Sequence, residues 1–405
     1  MNTLTRRKFI SRATAAVASV SLLKPILNLA AVAPKVTRKI KLGLIGCGGR
    51  GSWLADLFVA HGGYQIVGAA DYFEDRVQHM AQRFHLAPDA LFTGLKCFEK
   101  LIAKGGLDAV AIVSPPYFHP EQAAAAVAAG LHVYIAKPIA VDVPGCVSIK
   151  DSGMAAGKKG LVFLVDFQTR ADQFFIEAMR RVHTGALGTI AFGEAMYYAG
   201  RLGKRGEDKT PEGRLRNWVF DKALSGDIIV EQNIHTLDVM NWAMNNVAPV
   251  HCMGLGGRKG RVDVGDCWDY YTCVYEYPDK VGVNFSSRQY NLDATDGIFN
   301  KMYGTRGALL TEYGGNVMIR GGADTFYRGG KSPGIYKDGA VTNIATFYDS
   351  VIAGNATNPT VEPAVMSNLV CVMGRTAAYT GRIVTWDEIK NSETRLDGRL
   401  EGLKS

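Results

Sequence analysis

The chain has 405 residues, 47% hydrophobic and 21% charged, a composition that suits a globular protein long enough for two domains. No uninterrupted apolar run approaches the roughly 18 residues that cross a bilayer, so no integral membrane span is expected. The net charge of +8 is concentrated at the front. Arg6, Arg7, Lys8, Arg12 and Lys24 meet no acid within the first 34 residues, and the remainder carries about +3 without a basic stripe, which argues against nucleic acid as a partner.

In chain order, Thr5-Arg6-Arg7-Lys8-Phe9-Ile10 has the form of a twin-arginine export motif. An apolar stretch over 13–23 follows, then Ala31-Val32-Ala33, in the manner of a signal-peptidase site. Residues 1–33 are therefore expected to export a folded protein to the periplasm. Pro34 is a poor residue after a cleavage site, so retention as an N-terminal anchor is the alternative; a basic amphipathic terminal helix of a cytoplasmic enzyme is the less favoured reading, because the paired arginines, Phe9 and the short apolar stretch coincide.

Residues 40–45 form a strand-like run, and Gly46-Cys47-Gly48-Gly49-Arg50-Gly51 leads into helical spacing over 52–58. Gly46 permits a tight turn, Gly48 lets the backbone approach a pyrophosphate, and Gly51 lets helix and strand pack closely, with Cys47, Gly49 and Arg50 in the same turn. A second apolar run, 64–70, ends at Asp71, about 20 residues on. Its carboxylate suits a ribose 2′-hydroxyl and repels a 2′-phosphate, so NAD is expected rather than NADP.

Alternation of strand and helix continues to about residue 167: a buried strand over 108–114, an Ala-rich helix over 121–129, a strand over 132–135. That pattern predicts a doubly wound parallel sheet over 38–165. After a helix near 171–182, longer alternating strands follow over 190–198, 270–277, 281–287, 308–311 and 317–319. They predict a substrate-binding α+β domain over 166–405 with a large, mostly antiparallel open sheet. Residues 200–216 read as a loop or lid, and 343–353 and 362–379 as helices packing back on the sheet. The seven cysteines show no C-x-x-C and no metal-ligand spacing, so no metal is expected.

Two local patterns carry chemistry. Ala136-Lys137-Pro138 ends the strand at 132–135, placing a lysine at the carboxyl edge of the parallel sheet, where ligands bind. A partly desolvated lysine there can exchange a proton with a hydroxyl. Glu231, His235 and Asp238 stand at i, i+4 and i+7, one face of a helix, and an imidazole between carboxylates suits proton transfer near neutral pH. Arg170, Tyr198, Arg214, Arg216, Asn217 and Trp218, together with His235, are the candidate substrate contacts, since guanidinium and aromatic groups suit polyhydroxylated rings.

From Lys39 onward the chain resembles the Gfo/Idh/MocA oxidoreductases. The resemblance rests on the 46–51 turn with Asp71, on Ser114-Pro115-Pro116 with His119, and on Lys137-Pro138. The Glu231, His235, Asp238 pattern, Gly381-Arg382 and Trp386-Asp387 complete it. It implies NAD-dependent hydride transfer from a sugar or glycoside carbon, with Lys137 and His235 in proton transfer and substrate binding, and Ser114, Pro115, His119 and Lys137 among the cofactor contacts. Two departures stand out: Ala136 where the family usually has Glu, and Glu231 where it commonly has Asp. Export would favour a cofactor loaded before transport and regenerated in place. A redox glycoside hydrolase that uses NAD transiently is the alternative, although the Gly-Gly-His-Gly-Gly signature of that group is absent. A non-catalytic dinucleotide-binding protein is the second alternative, and self-association through the second sheet is a further expectation.

Overall fold

The computed structural model describes residues 36–292 and 297–405; the twin-arginine motif lies outside them. The first sheet has six parallel strands: β1 (Ile40–Ile45), β2 (Tyr64–Asp71), β3 (Leu91–Thr93), β4 (Ala109–Ile112), β5 (His132–Ala136) and β6 (Phe163–Asp166). Their order is β3-β2-β1-β4-β5-β6, a doubly wound arrangement that reverses direction at β1. The inner strands read as continuous apolar runs because helices cover both faces: α1 (Gly49–His61), α2 (Glu74–Phe84), α3 (Cys97–Lys104), α4 (His119–Ala128) and α5 (Val143–Lys158).

After α6 (Gln173–His183) the chain builds a nine-stranded sheet: β7 (Ile190–Ala199), β8 (His251–Gly257), β9 (Tyr270–Tyr277), β10 (Val281–Gln289), β11 (Gly297–Gly304), β12 (Gly307–Glu312), β13 (Asn316–Gly321), β14 (Tyr327–Lys331) and β15 (Val384–Thr385). The order is β14-β13-β12-β11-β7-β10-β9-β8-β15. All pairs are antiparallel except β7 with β10. Burial alternates along β9, as one covered face requires. The sequence pattern misses β8, β11, β14 and β15. The first and third, His-Cys-Met-Gly-Leu-Gly-Gly and Tyr-Arg-Gly-Gly-Lys, are glycine-rich and owe their extended form to pairing partners rather than propensity.

Between β7 and β8 lie α7 (Pro211–Arg216), α8 (Lys222–Ser225), α9 (Ile228–Glu231) and α10 (Ile234–Ala243). The segment expected as loop is thus helical in its last six residues, started by Pro211 and the Thr210 cap. Three helices close the chain: α11 (Ile335–Ala353), α12 (Val361–Thr380) and α13 (Trp386–Lys390). They divide their allegiance. α12 packs on the second sheet, whereas α11 lays Ile344, Phe347, Tyr348 and Val351 against Leu42, Leu44 and Tyr134 of the first and Phe58 of α1. Tyr64 Oη donates to the Ile344 carbonyl at 2.7 Å. Among the described residues no helix is long and apolar enough to cross a membrane.

Candidate active site

The turn after β1 is shaped by two glycines that tolerate no side chain. Gly46 has φ +93°, and a Cβ there would lie 2.4 Å from the Ser114 nitrogen. A Cβ on Gly51 would lie 1.9 Å from the Gly46 carbonyl oxygen. Gly48, by contrast, faces open space and caps α1 with no side-chain hydrogen bond, leaving the first amides of the helix directed at the cleft. Asp71, at the tip of β2, accepts from the Cys47 amide at 2.7 Å and the Phe73 amide at 2.9 Å. Burial pushes its carboxyl up from the usual range, against the pull of those two amides. Cys47 therefore serves through its backbone: its thiol is buried and turned to the Ala70 carbonyl.

Two adjoining clefts run along the carboxyl edge of the first sheet. One, of about 100 Å³, is walled by Gly46, Gly48, Asp71, Tyr72, Phe73, Ser114 and Pro115. The other, of about 490 Å³, is walled by Arg50, Lys137, Gln168, Tyr197, Glu231 and His235, with Tyr313 and Tyr336. Ser114, Arg205, Arg216 and Trp218 border both.

In the larger cleft Lys137 Nζ donates to the Glu231 carbonyl at 2.7 Å and stands 4.0 Å from its carboxylate. Burial lowers the lysine's pKa, and Glu231 offsets part of that. His235 lies across from it against the Tyr313 ring, 5.1 Å between centroids. Burial, then the charges of Lys137 and Arg50, hold its pKa well below the ordinary value, so the imidazole is neutral at pH 7. Its Nδ1 and the Glu231 Oε2 have no hydrogen-bond partner among the described residues. Asp227 fixes the backbone beneath. At φ +74° it caps α9 through its carboxylate and accepts from Tyr379 Oη at 2.7 Å, so a strained residue sets where Glu231 sits.

His119 braces the junction. Its ring nitrogens meet the carbonyls of Ser114 at 2.8 Å and Pro138 at 2.9 Å, tying the two loops together. Arg50 turns toward the larger cleft, its Nη2 on Asp166 at 2.6 Å and its guanidinium near the Trp53 and Tyr336 rings. Arg216 spans the smaller cleft, bonding Asp75 at 2.6 Å and lying 3.9 Å from the Phe73 ring centroid. Trp218 stands at the border of the two. Asn217 reaches the wall of the larger cleft, but its amide is spent on the loop, on Arg205 and Gly213.

Four expected site residues are elsewhere. Glu231, His235 and Asp238 do not share one helix face, because the helical ladder breaks between α9 and α10: the Ile228 carbonyl takes the amides of both Gln232 and Asn233. Asp238 consequently points away, fully buried, and grips Arg170 through Nε at 2.9 Å with Ser367 at 2.7 Å. That corrects both Asp238 as a catalytic group and Arg170 as a substrate contact. Tyr198 belongs to the outer face of β7, bonding Ser286; its neighbour Tyr197 is the one that faces the cleft, as strand alternation demands. Arg214 pairs with Asp221 at 2.6 Å and holds the carbonyls of Gly398 and Arg399.

Sequence reasoning missed Gln168, Tyr197, Arg205, Gln232, Tyr313 and Tyr336, which come to the cleft from six separate elements and loops. It also missed the segment 392–405, whose last residues pack beside the smaller cleft. Lys404 accepts from the Leu95 amide at 2.9 Å and donates its own to Tyr72 Oη at 3.2 Å, while Leu400 and Leu403 pack among Tyr72, Phe73, Leu95, Leu215 and Trp218.

A sheet edge whose glycine turn and helix amino end suit a diphosphate, opening into a second cleft that holds a buried lysine and histidine, is the architecture of a dinucleotide-dependent oxidoreductase. The chain belongs to the Gfo/Idh/MocA oxidoreductase family: residues 40–167 match the oxidoreductase family's NAD-binding Rossmann fold, and 175–310 match the family's C-terminal domain. Its cofactor is NAD, which the open space over Gly48, the uncapped helix and the Asp71 carboxylate fit. A myo-inositol dehydrogenase of Streptomyces leeuwenhoekii is 26% identical over 295 residues, 72% of this chain and 80% of that enzyme. A glycosyl hydrolase family 109 protein of Solibacter usitatus is 27% identical over 176 residues, 42% of this chain and 40% of that one. Several curated relatives are matched over about half of their length. The fold is shared with the WlbA dehydrogenase of Bordetella pertussis, solved with NADH and UDP-GlcNAcA, at TM-score 0.70 and 17% identity over 87% of this chain and 99% of that one.

Proposed function

We propose that this enzyme oxidises a hydroxyl of a sugar or glycoside and passes the hydride to a tightly held NAD. The observation that carries this reading is the convergence of Lys137, Glu231 and His235 in a roomy cleft that adjoins the nucleotide cleft. NAD, when bound, supplies the hydride acceptor. Lys137, whose ammonium form burial disfavours, takes the proton of the reacting hydroxyl, and Glu231 orients it. Neutral His235 hydrogen-bonds the same oxygen. Tyr197, Tyr313 and Trp218 offer ring faces to a sugar, and Gln168 and Gln232 bond its other hydroxyls. The test is single-turnover reduction of bound NAD by a panel of sugars and glycosides. Lys137→Ala and His235→Ala should keep NAD yet fail to reduce it; near-wild-type turnover in both would overturn the assignment.

The similarity to the family 109 protein favours a second reading, in which oxidation, elimination and re-reduction give net hydrolysis. Release of the aglycone with no net change in NADH distinguishes it. We also propose export to the periplasm through the 1–33 leader, tested by retention of the Arg6→Lys, Arg7→Lys double variant in the cytoplasm. Self-association through the outer face of the second sheet is supported by exposed Phe192, Met253, Leu255 and Val274, and light scattering tests it.

A further inference from the structure

The segment between β7 and α8 carries six cations, and four of them, all but Arg205 and Lys209, are matched by an acid among the described residues. Arg201 pairs with Asp263 at 2.7 Å, Lys204 with Asp208 at 2.7 Å, Arg214 with Asp221 at 2.6 Å and Arg216 with Asp75 at 2.6 Å. Arg205 has no acid within ion-pair distance among the described residues. Its main chain is nevertheless fixed on both sides by one side chain: the Arg205 amide donates to Asn217 Oδ1 at 2.7 Å, and Asn217 Nδ2 donates to the Arg205 carbonyl at 3.1 Å. From that anchored backbone the guanidinium extends over the glycine turn, with Nη2 3.8 Å from where a Cβ on Gly49 would stand. The residue borders both clefts.

Two sources of positive potential thus meet above one turn. The amino end of α1 has neither a side-chain cap nor an acid in its first turn, so its amides favour an anion. An unmatched guanidinium adds a planar donor fork suited to two phosphate oxygens. We propose that Arg205 clamps the diphosphate of the bound dinucleotide, gripping it from the second half of the chain while the glycine turn holds it from the first. This rests on NAD as the cofactor, and it gives that cofactor slow exchange. Asn217 acts as a positioning residue that presents the clamp.

The experiment compares NAD, ADP-ribose and adenosine binding by calorimetry, at low and moderate salt, in wild type, Arg205→Ala and Arg205→Lys. A charge-assisted contact of this kind predicts roughly a tenfold or greater loss of affinity for NAD and ADP-ribose in the alanine variant. Adenosine affinity should be unchanged, NAD release faster, the salt dependence shallower, and binding partly restored by lysine. Equal losses for adenosine would mean that the loop has moved rather than that a phosphate contact has gone, and would overturn the proposal. Unchanged NAD and ADP-ribose affinity would overturn it too, whether or not a raised KM for sugar reassigned the arginine to substrate. Wild-type protein that bound neither NAD nor ADP-ribose would instead overturn the cofactor assignment itself.

Discussion

Lys137 donates to the main-chain carbonyl of Glu231 at 2.7 Å while standing 4.0 Å from the carboxylate of the same residue. One residue therefore both aims the amine and biases its charge. Glu231→Gln keeps the carbonyl contact and removes the charge that favours the ammonium form, so the lysine's pKa falls further. The acid limb of kcat/KM for the sugar should move to lower pH. A limb that stays in place or moves upward would show that another group titrates there. Lys137→Ala should cost about 10²- to 10⁴-fold in rate.

Arg170 and Asp238 are a structural pair, with side chains 13% and 0% exposed. Removing one partner from a buried pair costs about 3–5 kcal/mol because the other charge is left stranded. Arg170→Ala should lower the unfolding midpoint markedly, and the folded fraction should retain the wild-type KM for sugar. A raised KM at unchanged stability would restore Arg170 to the substrate site.

Asp71 both faces the nucleotide cleft and secures the amides of Cys47 and Phe73. Asp71→Ala should weaken NAD binding and narrow the preference for NAD over NADP, through loss of the ribose acceptor and of the repulsion toward a 2′-phosphate. Titration of both nucleotides with both proteins measures it. Tighter binding of NADP than NAD by the wild type would refute the role given to this carboxylate.

His119 is buried, which depresses its pKa to about 4. The unfolded chain takes up a proton near pH 6.5 that the folded chain refuses, so the unfolded state binds more protons between these values. Its contribution to stability is thus fully present above about pH 6.5 and is lost as the pH falls toward 4, at up to about 1.4 kcal/mol per pH unit. His119→Gln should be less stable at pH 7.5 yet lose less on acidification, as read from urea midpoints across pH 7.5 to 4.5. Parallel pH curves for the two proteins would contradict this account.

The parts of the site legible in the sequence are those where local pattern dictates local geometry. The 46–51 turn, Asp71 and Lys137 each sit at the end of a strand whose apolar run is itself visible, so their common edge follows from the parallel fold. His235 was legible together with Lys137 and Glu231, but the departure of Asp238 from their company was not. The ladder break after Ile228 interrupts an otherwise helical pattern, and nothing in Gln232-Asn233 announces it. Tyr197 and Tyr198 differ by one place in the β alternation, and only pairing with β10 and β11 settles which faces inward. Tyr313, Tyr336 and residues 392–405 arrive through contacts distant in sequence, which no local periodicity encodes.

The helix Ile335–Ala353 is a loan made across the chain: contiguous with the later strands, it roofs the earlier sheet. A chimera that joined residues 38–165 to the rear half of a relative would therefore inherit a stranger's roof, and Leu42, Leu44 and Phe58 would meet side chains selected against a different floor. Excised alone, the same stretch would expose that apolar surface to water and favour aggregation. The heritable module for nucleotide binding in this chain is thus discontinuous, and any transplant must carry residues 335–353 along with the sheet they cover.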